Sequence, residues 1–205
     1  MIQKLPAPLG ADYDLVKHEI IMLNAGWKIY TQLYITSKER IEFLDEMAFP
    51  LFRVIQDALF IDVILNICRL LDPPESFGNK NMCLERLEME IIKMGGHDEL
   101  VNTLSDNKLK LRAESQPLRN WRNKKISHND LKIALQENQL LSGITKKLID
   151  DLLEQIEKYI NEISLYFLKS QNIFNRPFLA TVGDGERLLF LLEKAKEYLQ
   201  QEKLT

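Results

Sequence analysis

The stretch from Ile144 to Phe167, ITKKLIDDLLEQIEKYINEISLYF, decides the fold class. Its side chains Ile149, Leu152, Ile156, Tyr159, Ile163 and Tyr166 return every three or four residues, the period of one helix face packed along another long helix. Thr145 precedes this run as an N-cap, and Ile144 and Ile149 hold the positions of a hydrophobic staple around it. The helix should end by Asn172 to Pro177.

The same reading extends in both directions. Residues 12–35 carry Leu15, Ile20, Leu23, Trp27, Tyr30 and Tyr34 at helical spacing. Thr36 and Glu39 have the spacing of a capping box for a helix running to Phe49, and Pro50 suits the first turn of the next. That third helix stops at Asp72-Pro73-Pro74, because neither proline can donate to the helical ladder. After a loop over Ser76–Asn81, a helix over Met82–Met94 ends at Gly95-Gly96. Shorter helices are expected over Asp98–Leu104 and from Leu109 to near His128. Asp184 caps a last helix, Gly185–Gln201, with Leu188, Leu191, Leu192, Ala195 and Leu199 as its apolar face. Thr181-Val182 and Leu131–Leu135 are too short or ambiguous to build a sheet. The expected architecture is an all-α, up-and-down helical bundle whose core helices are 12–35, 50–72, 109–128 and 145–171.

Composition agrees with this reading. The 205 residues include 8 Gly and 7 Pro, roughly 7% of the chain against a typical ~12%, so hairpins should be few. One domain over residues 1–205 is expected from the length. A formal net charge of −3 excludes a wholly basic, histone-like protein. Cys68 and Cys83 are too few for a disulfide framework or a multi-cysteine zinc site, and reduced cytoplasmic thiols are the simplest reading. The first residues lack a secretory signal, and Ala58–Leu71 is interrupted by Asp62, Asn66 and Arg69, so neither export nor a membrane span is expected.

Several chemistries lack their minimum sequence support. His18, His97 and His128 show no metal-ligand spacing, so no metal is expected. There is no phosphate-binding glycine loop, dinucleotide fingerprint or nucleophile elbow, so no cofactor is expected either. What distinguishes the chain is local charge. Residues 108–132, KLKLRAESQPLRNWRNKKISHNDLK, hold eight Lys or Arg against two acids, a net +6 on an otherwise acidic protein. With Trp121 and His128, that composition suits a phosphodiester backbone, although a solvated helix face would look the same.

Within this segment Arg122 and His128 form an R-x5-H pattern, with Asn123 directly after the arginine. The string LRNWRNKKISHND (Leu118–Asp130), preceded by ALFIDVILNICRLLD (Ala58–Asp72), resembles the HEPN superfamily and its AbiU-like abortive-infection branch. The resemblance rests on an R-L-x-D element, here Arg69, Leu70 and Asp72, and an R-N-K-x-I-x-H-x-D element, here Arg122, Asn123, Lys124, Ile126, His128 and Asp130. It covers about 12–172, leaving 173–205 as an added helical extension. It implies a HEPN-type bundle, paired across a two-fold axis, whose arginine and histidine line one cleft and cut RNA without a metal. Relatives of this kind include toxins and antiviral effectors, which makes an antitoxin a further expected partner, and others that have lost catalysis and only bind.

Residue chemistry is compatible with these roles. His128 can take the 2′-OH proton or protonate the leaving 5′-oxygen, and Arg122 can fork two hydrogen bonds to the phosphate. Asn123 would hold the scissile phosphate or orient the histidine, and Arg119, Lys124 and Lys125 would grip RNA. The bland reading of His128 is a histidine bonding the last carbonyls of its helix. On a continuous α-helix Arg122 and His128 lie about 120° apart, which favours a site taking one residue from each of two chains. A second polar cluster, Asp62, Asn66 and Arg69, shares one face of the third helix, either as a structural network or facing the cleft. Asp72 reads simply as a helix-end residue, His18 and His97 as surface or loop residues, and Trp27 and Trp121 as packing anchors.

Overall fold

A computed structural model of the chain describes residues 4–76, 78–126, 143–174 and 183–202. Among these the protein is all-α apart from one minimal hairpin. Helix α1 spans Leu9–Tyr30 and continues as a π-helical turn, Thr31–Ile35. Helices α2 (Lys38–Ala48) and α3 (Leu51–Leu70) follow, then strands β1 (Glu75–Ser76) and β2 (Asn79–Lys80). Helices α4 (Leu84–Met94), α5 (Asp98–Glu114) and α6 (Gln116–Trp121) lead into a second π-helical turn, Arg122–Ile126. Helix α7 (Lys146–Leu168) and helix α8 (Gly185–Glu202) complete the described chain. No described helix is long and apolar enough to cross a membrane, and Cys68 and Cys83 are free and buried.

The chain divides into two compact units, each built from separated pieces. The first comprises Met1–Ile21 and Ile64–Phe174. Its core is made by Leu9, Tyr13, Val16 and Ile20 of α1, Ile64 and Ile67 of α3, Leu87 and Ile91 of α4, Leu104 and Leu111 of α5, and the α7 stripe Ile149, Leu152, Ile156, Tyr159 and Ile163. Tyr166, expected on that stripe, is exposed, since its hydroxyl bonds His97 Nδ1 at 3.1 Å beside the edge-on ring of Phe167. On α1, Leu15 is exposed because the buried face runs through Tyr13 and Val16 instead.

The second unit comprises Met22–Val63 and Asn175–Thr205, around Leu33, Tyr34, Leu44, Phe52 and Leu189. Of α8, Gly185 and Leu189 are buried and Leu192 is half-buried, whereas Leu188, Leu191, Ala195 and Leu199, expected on its inner face, are exposed. The buried face of α8 is narrow because a single row of it meets the cluster. Its start follows the sequence: Asp184 Oδ1 accepts from the Arg187 N–H at 3.1 Å.

Three further expectations are corrected. The α2 cap is Ser37, whose Oγ accepts from the Arg40 N–H at 3.3 Å, because the Thr36 hydroxyl is already donated to Thr31 O across the π turn. The 76–81 loop contains the β1–β2 ladder, with Gly78 at φ +78° in its turn. The break expected between Leu104 and Leu109 is absent, and the chain breaks instead at Ser115, before Pro117 at the start of α6.

Helix α5 runs through the polar Ser105–Lys108 stretch because α4 supplies partners. Ser105 Oγ donates to Glu88 Oε1 at 2.8 Å, and Lys108 Nζ meets Glu88 Oε2 at 2.7 Å and Glu85 Oε1 at 3.0 Å. Arg112 Nη2 reaches Glu85 Oε2 at 2.7 Å. Burial pushes the Glu85 carboxyl up, but Lys108 and Arg112 outweigh it and hold it below the ordinary value.

Two predictions follow from this packing. Lys108→Ala leaves Glu88, which is 4% exposed, without its cation, and should cost about 3 kcal/mol in urea unfolding. Burial pushes the Tyr34 phenol up to about 12, while its hydroxyl donates to Phe52 O at 2.9 Å. The unfolded phenol ionises near 10, so this contribution to stability is intact below pH 10 and lost between 10 and 12. Melting temperatures over that range should fall more steeply for the wild type than for Tyr34→Phe.

Candidate nucleic-acid interface

A helix leaves its last carbonyls without partners and carries partial negative charge at that end. The C-terminus of α3 adds to this a carboxylate, Asp72, just before Pro73. Three arginines close on it. Arg112 Nε donates to Leu71 O at 3.4 Å and Arg119 Nη2 donates to the same oxygen at 2.7 Å. Arg122 Nη1 lies 2.9 Å from each Asp72 carboxylate oxygen, and Arg119 Nη1 lies 3.8 Å from Asp72 Oδ1. All of these residues belong to the first unit.

The clasp joins the R-L-x-D element to the R-N-K element, which lie 50 residues apart. Asp72, which the sequence reading treated simply as a helix end, is therefore the acceptor that joins the two elements. The signal for it was the density of arginine at Arg112, Arg119 and Arg122, three cations on successive elements that need an acceptor opposite. The two nearest guanidiniums oppose the effect of burial on Cys68, yet burial dominates and pushes that thiol up to about 11.

The expected site residues are distributed as follows. Asn123 is exposed and its Oδ1 accepts from Arg122 Nε at 3.1 Å. Arg119 is turned toward the end of α3, its Nε also donating to Ser115 Oγ at 3.4 Å. Lys124 is half-buried beside Asn123 on the π turn. His128 and the Lys125 side chain lie outside the described residues, as does Asp130. Over Arg122–Ile126 the backbone has π rather than α geometry, and the expected relation of Arg122 to His128 lies outside the described residues.

Of the second polar cluster, Asp62 and Arg69 are exposed and Asn66 is half-buried. Arg69 Nη1 donates to Asn66 Oδ1 at 3.2 Å. Asn66 and Arg69 line a cleft of about 350 Å³ together with Glu19, Asp72, Lys80 and Asn81. His18 is exposed on α1, and His97 is half-buried at the start of α5.

The arrangement offers a guanidinium held by Asp72, a residue that also lines the polar cleft, with Arg119 beside it. Asp72→Asn removes the charge that holds Arg122 and should cost about 1–3 kcal/mol in unfolding free energy. Asp72→Glu should recover part of that loss in the same measurement.

Comparison with known proteins supplies an independent finding. A family model described as HEPN_AbiU2, AbiU2, matches residues 7–178. No curated protein and no solved structure matches the chain.

Proposed function

The chain belongs to the AbiU2 family of HEPN proteins, and from that premise we propose that it is a metal-independent endoribonuclease of defence or toxin type, working as a homodimer. The observation that supports this most is the Asp72–Arg122 clasp, which fixes one guanidinium in the basic segment at a solvent-accessible cleft. A pinned planar fork stabilises the crowded phosphate of a transition state without reorganising at the moment of reaction.

In the proposed reaction a base takes the 2′-OH proton, the 2′-oxygen attacks phosphorus, and the 5′-oxygen leaves as it accepts a proton. The products are a 2′,3′-cyclic phosphate and a 5′-hydroxyl. His128 is the residue of this segment whose ordinary pKa suits both proton steps, and pairing two chains supplies one imidazole for each. Lys124 and Lys125 grip flanking phosphates, and Asn123 orients Arg122 through its Nε bond. An antitoxin partner fits a toxin of this kind.

The test uses purified full-length protein with chelator present. Cyclic-phosphate ends are expected, and His128→Ala and Arg122→Lys should each lower the cleavage rate by roughly 10²–10⁴ with helical content and dimer unchanged. A second reading, a HEPN module that binds RNA, a nucleotide or a protein without cutting, draws on the engagement of Arg122 Nε by Asn123 and Nη1 by Asp72. A wild type inert toward RNA, but binding it with a steep salt dependence, would favour that reading.

A further inference from the structure

The cleft at the end of α3 has features that the clasp does not use. Asp72 forms part of its wall, so the cleft begins where Arg122 is held. Its volume of about 350 Å³ lies at the small end of the range for small-molecule sites, room for one nucleotide but not for a duplex. Charge is mixed rather than uniform, with Arg69 and Lys80 against Glu19 and Asp72.

The polar side chains are partly committed, and the commitments decide what each has left to offer. Asn66 Oδ1 accepts from Arg69 Nη1 at 3.2 Å, which leaves its amide N–H groups as donors. Asn81 Nδ2 donates to Pro73 O at 2.8 Å and its backbone N–H donates to Pro74 O at 2.8 Å, which leaves Oδ1 as an acceptor on a fixed backbone. Glu19 of α1 adds a carboxylate, an acceptor only. With Asp72 committed to Arg122, and apart from the cations Arg69 and Lys80, the cleft presents two acceptors, Glu19 and Asn81, and one donor group, the Asn66 amide.

We propose that this cleft is a guanine-specific subsite for single-stranded RNA, with Glu19 and Asn81 accepting from the donor positions of the base and Asn66 donating to O6. Guanine is the base whose pairing edge carries two donor positions and one acceptor, the complement of this set. Arg69 and Lys80 contact the adjoining backbone. The inference rests on the proposal that Arg122 meets an RNA phosphate, since the shared residue Asp72 then places the next base at the cleft.

The experiment uses the full chain carrying His128→Ala, so that RNA is not consumed. Four fluorescent uridine heptamers that differ only in a central G, A, C or U are titrated by anisotropy. The G heptamer should bind about tenfold or more tightly than the others, the discrimination expected of paired hydrogen bonds to one base. Glu19→Gln and, separately, Asn81→Ala should reduce that preference to within about threefold while the other three affinities hold. Because Glu19 is exposed on α1 and Asn81 sits after β2, a folding defect in one variant does not compromise the other. Equal affinity for all four heptamers, a preference that survives both variants, or no binding at all overturns the inference. Preserved G preference in a chain that never cuts RNA defeats the nuclease proposal and supports this one.

Discussion

The end of α3 is the constraint on which the first unit depends. Pro73 and Pro74 prevent the helix from continuing, so its final carbonyls must find donors outside the helix. Arg112 from α5 and Arg119 from α6 both donate to Leu71 O, and Arg122 from the π turn closes on Asp72. One helix terminus thus fixes the positions of three successive elements. It holds Arg122 at the cleft as a by-product of satisfying its own backbone, so the requirement of the fold and the requirement of the proposed chemistry coincide.

A second network underlies that one. Lys108 sits among Glu85, Glu88 and Arg112, and Glu88 also receives the Ser105 hydroxyl and, at 3.5 Å, that of Tyr159 from α7. Desolvating two carboxylates and an ammonium is costly unless each is paired, and here each is. Arg112 links the two networks, since it bonds Glu85 through Nη2 and Leu71 O through Nε. A disturbance in the α4–α5 cluster therefore reaches the terminus that holds Arg122.

Much of this was legible in the sequence. The long α7 stripe, the Thr145 and Asp184 caps, the stop at Gly95-Gly96 and the two motifs are all local signals, carried by periodicity or by side chains bonding their own backbone. The misreadings share one origin, partners distant in sequence. The polar run Ser105–Lys108 looks like a break until Glu85 and Glu88 are brought opposite it. Asp72 looks like a terminal residue until Arg122 is folded onto it. On α8 the leucines at 188, 191 and 199 have helical spacing, but period alone does not say which row of a helix with two apolar rows faces inward. Pro117 was a local signal and overlooked, and it sets the boundary between α5 and α6.

The interleaving of the two units has a consequence for synthesis. Every segment of the first is available once the ribosome has passed Phe174, but the second encloses Leu33, Tyr34, Leu44 and Phe52 with Leu189 from near the far end of the chain. Its N-terminal half lacks the cover of Leu189 and Leu192 until more than a hundred intervening residues have been translated. The second unit therefore joins segments more than a hundred residues apart, and its cluster is completed only when α8 is present.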